Sequence, residues 1–524
     1  MGEVSPATFT KSKFHFVRAS LLSSINWQRQ LLVCAVLIVQ LSVSVSVLAQ
    51  QPASTTKDYA SERKRIANSI SNYIYGDFAA FNSAAEDLFV QRLDSLEKLL
   101  TDHLDAYSDE LDVPTVLNQR LEVRFFFDRL LLEYPAHHHT YTGRHSELSE
   151  SNRNRLTRHY ASFNDTSLLG NTNYLDYVQA YLEREKTEAM ESGAFAGQDN
   201  RWLLITMGLI DEHIQNPIAR TYWKHHYLYR HIDDLGIKNI DSIYQDFMRS
   251  CDDSTYTDEL SQMYNSHQTE RSDHPIVTYK SVDGYALDLH LFLPDSVDSP
   301  AGTPLIIYFH GGSWTTGKPD YFFNEARSYV GRGWAAAAVE YRLGARHGTL
   351  PFAAVQDARS AIRWVRQHAD RYRIDTTRIL ATGNSAGGHL VLTSALANEV
   401  NESTDDISVS PTPNALLVTS GVFDLTVENT QWITRAAGAD QDVKSISPNH
   451  LLRPGLPPTL IVHGTEDRNC PYPTAQHFVT EMESLGNSVT FHPVQSGGHF
   501  IWFGPFAGEV GRVRSEYISS LLSE

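Results

Sequence analysis

Ser385 stands in Gly383-Asn384-Ser385-Ala386-Gly387-Gly388-His389, between the apolar run 378–382 and the helix-like run 390–396. A strand that turns sharply into a helix around Gly-x-Ser-x-Gly presents the serine hydroxyl at the end of a sheet, beside the positive end of a helix dipole. A serine hydroxyl attacks a carbonyl at neutral pH only when a base takes its proton. His499, in the loop Gly497-Gly498-His499-Phe500, is the candidate base. Asp467, at the end of the run 458–467, is the candidate acid that holds the imidazole tautomer and stabilises the imidazolium. The negative oxygen of a tetrahedral intermediate needs donors already in place. The N–H groups of Ala386 and of Gly311 and Gly312, in His310-Gly311-Gly312-Ser313-Trp314, are the candidates for this oxyanion hole. The chemistry these residue types support is acyl transfer through a serine ester.

Each assignment has competitors in the same chain. Asp467 competes with Glu466 beside it and with Asp424, which follows the strand-like run 416–420. His499 competes with His463, His492 and His389, of which His463 ends a strand-like run and His389 lies on the helix after the serine. The order Ser, Asp, His, with each acid and base just after a strand, favours Ser385, Asp467 and His499. His310 and Trp314 are expected to order their loop. Asp357 and Arg359, on a helical pattern, are expected to make structural ion pairs or caps, and Cys470 to be a packing residue.

These residues need a sheet to position them. Strand-like runs occur at 276–281, 286–293, 305–309, 335–340, 379–382, 415–419, 459–462 and 489–493, with helix-like runs between them from about residue 320 onward. The first two, joined at Asp283-Gly284, form a hairpin, and the rest follow as parallel crossovers. The short stretch between Asp424 and Pro458 has room for a small cap and suggests an open site for short-acyl esters.

The motifs His310-Gly311-Gly312-Ser313-Trp314, Glu340-Tyr341-Arg342-Leu343, Gln356-Asp357-Ala358-Arg359 and Gly383-Asn384-Ser385-Ala386-Gly387-Gly388-His389-Leu390 resemble α/β-hydrolases of the bacterial feruloyl/acetyl-xylan-esterase-like (BD-FAE) group. They are similar also to hormone-sensitive-lipase-like carboxylesterases and to kynurenine formamidase. Asn384, where the lipase-like branch usually has Asp, and Ser313, where it usually has a third Gly, set the chain nearer the His-Gly-Gly-x-Trp branch. The likeness spans roughly 275–524. It implies an α/β-hydrolase fold, a mostly parallel eight-stranded sheet with helices on both faces. It also implies Ser385, Asp467 and His499 as the triad, Gly311, Gly312 and Ala386 as the oxyanion hole, and no metal or other cofactor.

At 524 residues the chain is too long for one core and is expected to hold two domains after a leader. A net charge of −18 argues against nucleic-acid binding and against a polybasic membrane patch. Lys11, Lys13, Arg18 and Arg29 precede an apolar run from Leu31 to Ala49 that ends Val47-Leu48-Ala49-Gln50. This reads as a signal peptide, residues 1–49, for secretion or periplasmic export. The competing reading is an uncleaved membrane anchor through 31–49, against which Gln40, Ser42, Ser44 and Ser46 argue. Cleavage would leave Cys251 and Cys470, whose pairing the sequence leaves open.

Residues 52–251 read as a separate all-α domain of unknown function, and the polar stretch 252–274 as a linker to the catalytic domain 275–524. Phe89, Leu93, Leu96, Leu100 and Leu104 recur at helical spacing, as do Leu175, Val178 and Leu182, and Asn216-Pro217 opens a further helix. His137-His138-His139 is expected in a solvated loop after Pro135 rather than on a metal. The many tyrosines suit helix packing better than a carbohydrate-stacking surface. The expected protein is an exported serine carboxylesterase acting on short-acyl or aryl esters, small molecules or carbohydrate-linked ones. The rivals are a peptidase or amidase on the same groups and a non-catalytic binding protein.

Overall fold

The computed structural model describes residues 53–521 apart from 297, 298, 428, 429, 431, 432, 434–436 and 438–440. The expected leader, residues 1–49, and part of the stretch after Asp424 therefore lie outside the described residues. Among the described residues no helix is long and apolar enough to cross a membrane.

The C-terminal half is built on one sheet of eight strands: β1 (Ile276–Val282), β2 (Tyr285–Phe292), β3 (Thr303–Phe309), β4 (Ala335–Val339), β5 (Ile374–Asn384), β6 (Ala415–Thr419), β7 (Thr459–Gly464) and β8 (Val489–Val494). Their order is β1-β2-β4-β3-β5-β6-β7-β8. β1 and β2 form the expected hairpin and β2 pairs antiparallel with β4, while every pairing from β4 to β8 is parallel. All eight expected strands are present.

Parallel strands joined by helical crossovers are covered on both faces, so their sequences are apolar throughout rather than alternating. β3, Thr-Pro-Leu-Ile-Ile-Tyr-Phe, is buried at every position. Leu305, Ile307 and Phe309 point into one core, which also receives helices at Pro351–Gln367, Ala386–Leu396 and Tyr472–Ser484. Ile306 and Tyr308 point into the opposite core, under helices at Phe323–Val330 and Ala507–Ser520. Asp357 and Arg359 make the structural contacts expected of them. The Asp357 carboxylate accepts from Lys280 Nζ at 2.7 Å and from the Arg342 N–H at 2.8 Å, and Arg359 Nη1 donates to the Ser394 carbonyl at 2.8 Å.

Ahead of the sheet the chain is helical. Its longer helices are α1 (Ala53–Tyr75), α2 (Glu86–Ala106), α3 (Val113–Thr142), α4 (Thr172–Glu191), α5 (Arg201–His213), α6 (Pro217–Leu235), α7 (Asp241–Ser250) and α8 (Ser254–Arg271). Phe89, Leu93, Leu100 and Leu104 of α2 are buried, as are Tyr174, Tyr177 and Tyr181 of α4. These three tyrosines belong to the helix-packing core. α6 begins where expected, with the Asn216 side chain accepting from the Ile218 N–H at 2.9 Å and with Pro217 in the first turn.

Two expectations for this region are corrected. The stretch 252–274 is no linker, because most of it is α8. Asp253 caps α8 by accepting the Thr255 N–H at 2.8 Å, and Leu260 and Tyr264, one turn apart, are buried with Leu228 and Ile232 of α6. An apolar stripe this narrow leaves the helix polar around most of its circumference, which is why it reads as a linker. His137-His138-His139 is not in a loop either: α3 runs through Pro135 to Thr142. His138 is buried, with Nδ1 at 2.9 Å from the Asn82 carbonyl.

Candidate active site

Ser385 sits between β5 and the helix Ala386–Leu396 with φ 52° and ψ −123°. This is a region L-residues rarely occupy, and holding one there costs on the order of 1–3 kcal/mol. Packing over-determines it. The Ser385 N–H donates to the Thr419 carbonyl and its own carbonyl accepts from the His389 N–H, both at 3.1 Å. The helix crosses the end of β3 so closely that a Cβ on Gly387 would lie 2.0 Å from the Phe309 carbonyl oxygen, and one on Gly383 would lie 2.6 Å from the same atom. Both glycines of the pentapeptide are therefore dictated by the crossing.

The Asp467 carboxylate is assembled by its own turn. Oδ1 accepts the N–H groups of Asn469 and Cys470, each at 2.9 Å, and Oδ2 accepts from His499 Nδ1 at 2.8 Å. The turn after β7 is tied to the loop after β8, with the Glu466 N–H donating to the Gly497 carbonyl at 2.8 Å. Asp467 and His499 are 5% and 6% exposed, so their hydrogen bond is shielded from water. Burial works to raise the Asp467 pKa. The His499 charge and hydrogen bond, with help from His463 and the Cys470 N–H, outweigh it and hold the carboxyl below its usual range.

The rival residues are engaged elsewhere. Asp424 accepts from the Thr426 N–H at 2.8 Å and lies 3.6 Å from His450. His492 pairs with Glu509 at 2.7 Å, and His389 Nε2 donates to the Ile446 carbonyl at 2.6 Å. His463 is closer to the site than its strand-end position suggests. Its Nε2 is 2.8 Å from the Cys470 carbonyl and 3.4 Å from Asp467 Oδ2, which makes it a second imidazole on the same carboxylate.

Cys470 is also more than packing. Its thiol lies against the Ser385 side chain, and the Asp467, Cys470 and His499 side chains each offer an atom within 4.8 Å of the other two. Cys470 thus links the serine to the Asp–His pair in space. Burial pushes its thiol well above the usual range, so it faces the serine in the neutral form and is a poor metal ligand. Cys251 and Cys470 are both buried free thiols, which settles the pairing question. The signal for Cys470 lies in its spacing: an Asp that caps its own turn brings the residue three positions on back over the carboxylate.

The loop from His310 to Gly317 faces the serine. A Cβ on Gly311 would meet the Ser385 Cβ at 3.3 Å. Among the described residues the N–H groups of Gly311, Gly312 and Ala386 have no hydrogen-bond acceptor. The loop is coiled by the Gly312 carbonyl, which accepts the N–H groups of Thr315 and Thr316 at 3.0 Å. His310 and Trp314 order it as expected. The His310 ring stacks on Tyr341 with centroids 4.3 Å apart, its Nδ1 donates to the Gly311 carbonyl at 2.7 Å, and the Tyr341 hydroxyl donates to the His310 carbonyl at 2.7 Å. Burial brings the His310 pKa down to about 4, so the ring is neutral. Trp314 packs edge-on to His389 at 5.0 Å.

A second group of ligand-type residues, His267, Glu270 and Asp320, lies between α8 and the segment after the loop. Lys318 Nζ stands 3.1 Å from His267 Nε2 and Arg271 lies 3.8 Å from Asp320, so protein cations already supply the positive charge there.

An elbow after β5, an acid turn after β7 and a histidine loop after β8, on a sheet covered by helices on both faces, occur together in the α/β-hydrolases, and this chain has that fold. Residues 289–482 match the BD-FAE family model. The chain is 35% identical to esterase LipI of Mycobacterium tuberculosis over 112 residues, 21% of this chain and 34% of that protein. It is 26% identical to kynurenine formamidase of Danio rerio, covering 43% of this chain and 73% of the formamidase. A thermophilic esterase structure from Thermogutta terrifontis aligns at 30% identity and a TM-score of 0.44, over 48% of this chain and 94% of that one. In these matches the chain spans about a third to a half of the length of the curated mycobacterial esterases.

Proposed function

We propose that the protein is a serine carboxylesterase in which Ser385, His499 and Asp467 form the triad. The observation that carries this is the shielded 2.8 Å hydrogen bond between His499 and Asp467, beside a serine held in a strained elbow. His499 takes the Ser385 proton as Oγ attacks the ester carbonyl. The tetrahedral oxygen is received by the N–H groups of Gly311, Gly312 and Ala386. Collapse of the intermediate expels the alcohol, which leaves with the proton from His499, and water then repeats the sequence on the acyl-enzyme. Asp467, held ionised, stabilises the imidazolium in both halves. The esterase names of the relatives support the same reaction class.

Short-acyl and aryl esters, free or carbohydrate-linked, are the proposed substrates, met outside the cytoplasm after export directed by residues 1–49. Phe500 and Trp502, whose rings lie 5.0 and 5.6 Å from His499, support an aryl preference. Phe503, beside Trp502, is exposed and extends the aromatic surface. The test is a panel of nitrophenyl esters of increasing acyl length, feruloyl esters, acetylated sugars and peptide amides, run on the wild type and on Ser385→Ala. Ester turnover that falls about 10⁴-fold or more in the variant is the expected outcome. A panel in which no ester distinguishes the two proteins would sink the proposal, and faster turnover of amides than of esters would move it to an amidase.

A further inference from the structure

The helical region reaches the loop that carries Gly311 and Gly312 from two sides. On one side, near the C-terminal end of α6, the Asp234 carbonyl accepts the Gly317 N–H at 2.9 Å. The Ile232 carbonyl accepts from Lys318 Nζ at 3.2 Å. Lys318 Nζ also donates to His267 Nε2 of α8 at 3.1 Å, and His267 Nδ1 donates to Asp320 at 2.9 Å. On the other side, the carbonyls of Trp314 and Thr315 accept the N–H groups of Gly344 and Ala345, at 2.9 and 3.0 Å. The neighbouring Arg346 is gripped by Asp199, between α4 and α5, through contacts of 3.0 and 2.6 Å.

The loop has little slack with which to absorb movement at these anchors. Gly317 has φ 106°, and the space a Cβ would fill is taken by His310 Nδ1 at 2.3 Å and the Gly311 carbonyl oxygen at 2.4 Å. A shift of Gly317 therefore pushes directly on Gly311, whose own Cα faces the Ser385 Cβ. Lys318 is buried, so its bonds to α6 and α8 are formed away from competing water.

We infer that the helical region is a working part of the active site, holding the oxyanion loop in register, with Lys318 and Asp199 as positioning residues. This rests on the esterase reading. Donors aimed at a transition-state oxygen lose their effect steeply with misplacement, about a hundredfold in rate for 1 Å, while ground-state binding of the ester changes little. Lys318→Met in the full chain is expected to lower kcat roughly ten- to a hundredfold with KM held within about threefold. Lys318→Arg should restore part of the loss, and Asp199→Asn should act in the same sense from the other side.

Two measurements separate positioning from mere folding. Thermal unfolding shows the fraction folded at the assay temperature. Affinity for phenylboronic acid, whose tetrahedral adduct with Ser385 places an oxygen in the same hole, should weaken in step with kcat/KM. If Lys318→Met does not fold, Asp199→Asn and Lys318→Arg carry the same test. A wild type that neither turns over esters nor binds the boronate defeats the esterase reading itself. An active wild type whose folded variants keep kcat and boronate affinity within about twofold overturns the inference alone, because an effect of that size is below what a displaced donor produces.

Discussion

The carbonyl oxygen of Phe309, at the end of β3, occupies the place where a side chain on Gly387 would begin, 2.0 Å from the ideal Cβ position. The backbone of one strand and the first turn of the helix Ala386–Leu396 are thus in direct contact, and no rotamer change can relieve an added methyl. Gly387→Ala must move the helix, and Ser385 with it. Ester turnover should fall at least a hundredfold, since a displacement on the order of 1 Å suffices. Steady-state kinetics beside circular dichroism check this, and a variant within threefold of wild type would show that the crossing is not tight.

His463 shares the Asp467 carboxylate with His499 and is fully buried. His463→Phe removes the donor to the Cys470 carbonyl and one of the partners holding Asp467 ionised. An unsatisfied buried carbonyl costs about 1–3 kcal/mol, so the melting temperature should drop, and kcat should fall roughly tenfold as the acid loses orientation. Unchanged kcat in a destabilised variant would limit His463 to a structural role.

Leu260→Ala tests whether 254–271 is an integrated helix. Leu260 is 0% exposed, and emptying such a site costs about 2–5 kcal/mol, whereas the same change in a solvated linker is within about 0.5 kcal/mol. Urea denaturation distinguishes the two outcomes.

Glu340 gives the contact between the helical region and the sheet a defined pH dependence. Its carboxylate meets Lys238 and lies 3.4 Å from Arg271 and 3.6 Å from His290. Burial alone would raise its pKa, but the nearby His290 and the charges of Lys238 and Arg346 pull it well below the usual value. A folded-state pKa below the unfolded one contributes stability that is complete above the unfolded value, about 4.3, and is lost as pH falls through the folded value. Glu340→Gln leaves Lys238 to Asp288 alone, 2.6 Å away, and takes a counter-charge from Arg271, at a cost of about 1–3 kcal/mol. The gap between wild type and variant, measured by denaturation, should be level from pH 7 to 5 and narrow only below about pH 4. A gap that does not change with pH would show that Glu340 is not ionised in the folded protein.

What was legible in the sequence follows from where each signal resides. The central strands β3, β4, β6 and β7 are readable because burial on both faces leaves uninterrupted apolar runs such as Leu305 to Phe309. The meeting of Asp467 with His499 is readable because each stands shortly after a strand in a glycine- or acid-marked turn. α8 is hidden because Leu260 and Tyr264 alone of its residues are fully buried, and His137–His139 is misplaced because a proline such as Pro135 reads as a helix end, whereas this helix continues through it. The grip on the oxyanion loop was beyond sequence reading for a different reason. It is made largely by the carbonyls of Ile232 and Asp234, and a backbone oxygen carries no residue identity. His463 depends on the direction of the turn at Asp467, which the letters of that turn do not specify.

The backbone of Ser385 has a thermodynamic consequence for the whole chain. At φ 52° and ψ −123° a glycine would rest without the penalty a serine bears, so part of the folding free energy is withheld by the residue proposed to perform the chemistry. Ser385→Gly should be inert toward esters yet unfold at a higher temperature than the wild type, with a net gain on the order of 1 kcal/mol once the extra chain entropy of glycine is deducted. Selection for stability alone would erase this serine, and its presence marks a site where activity has been kept at the expense of robustness.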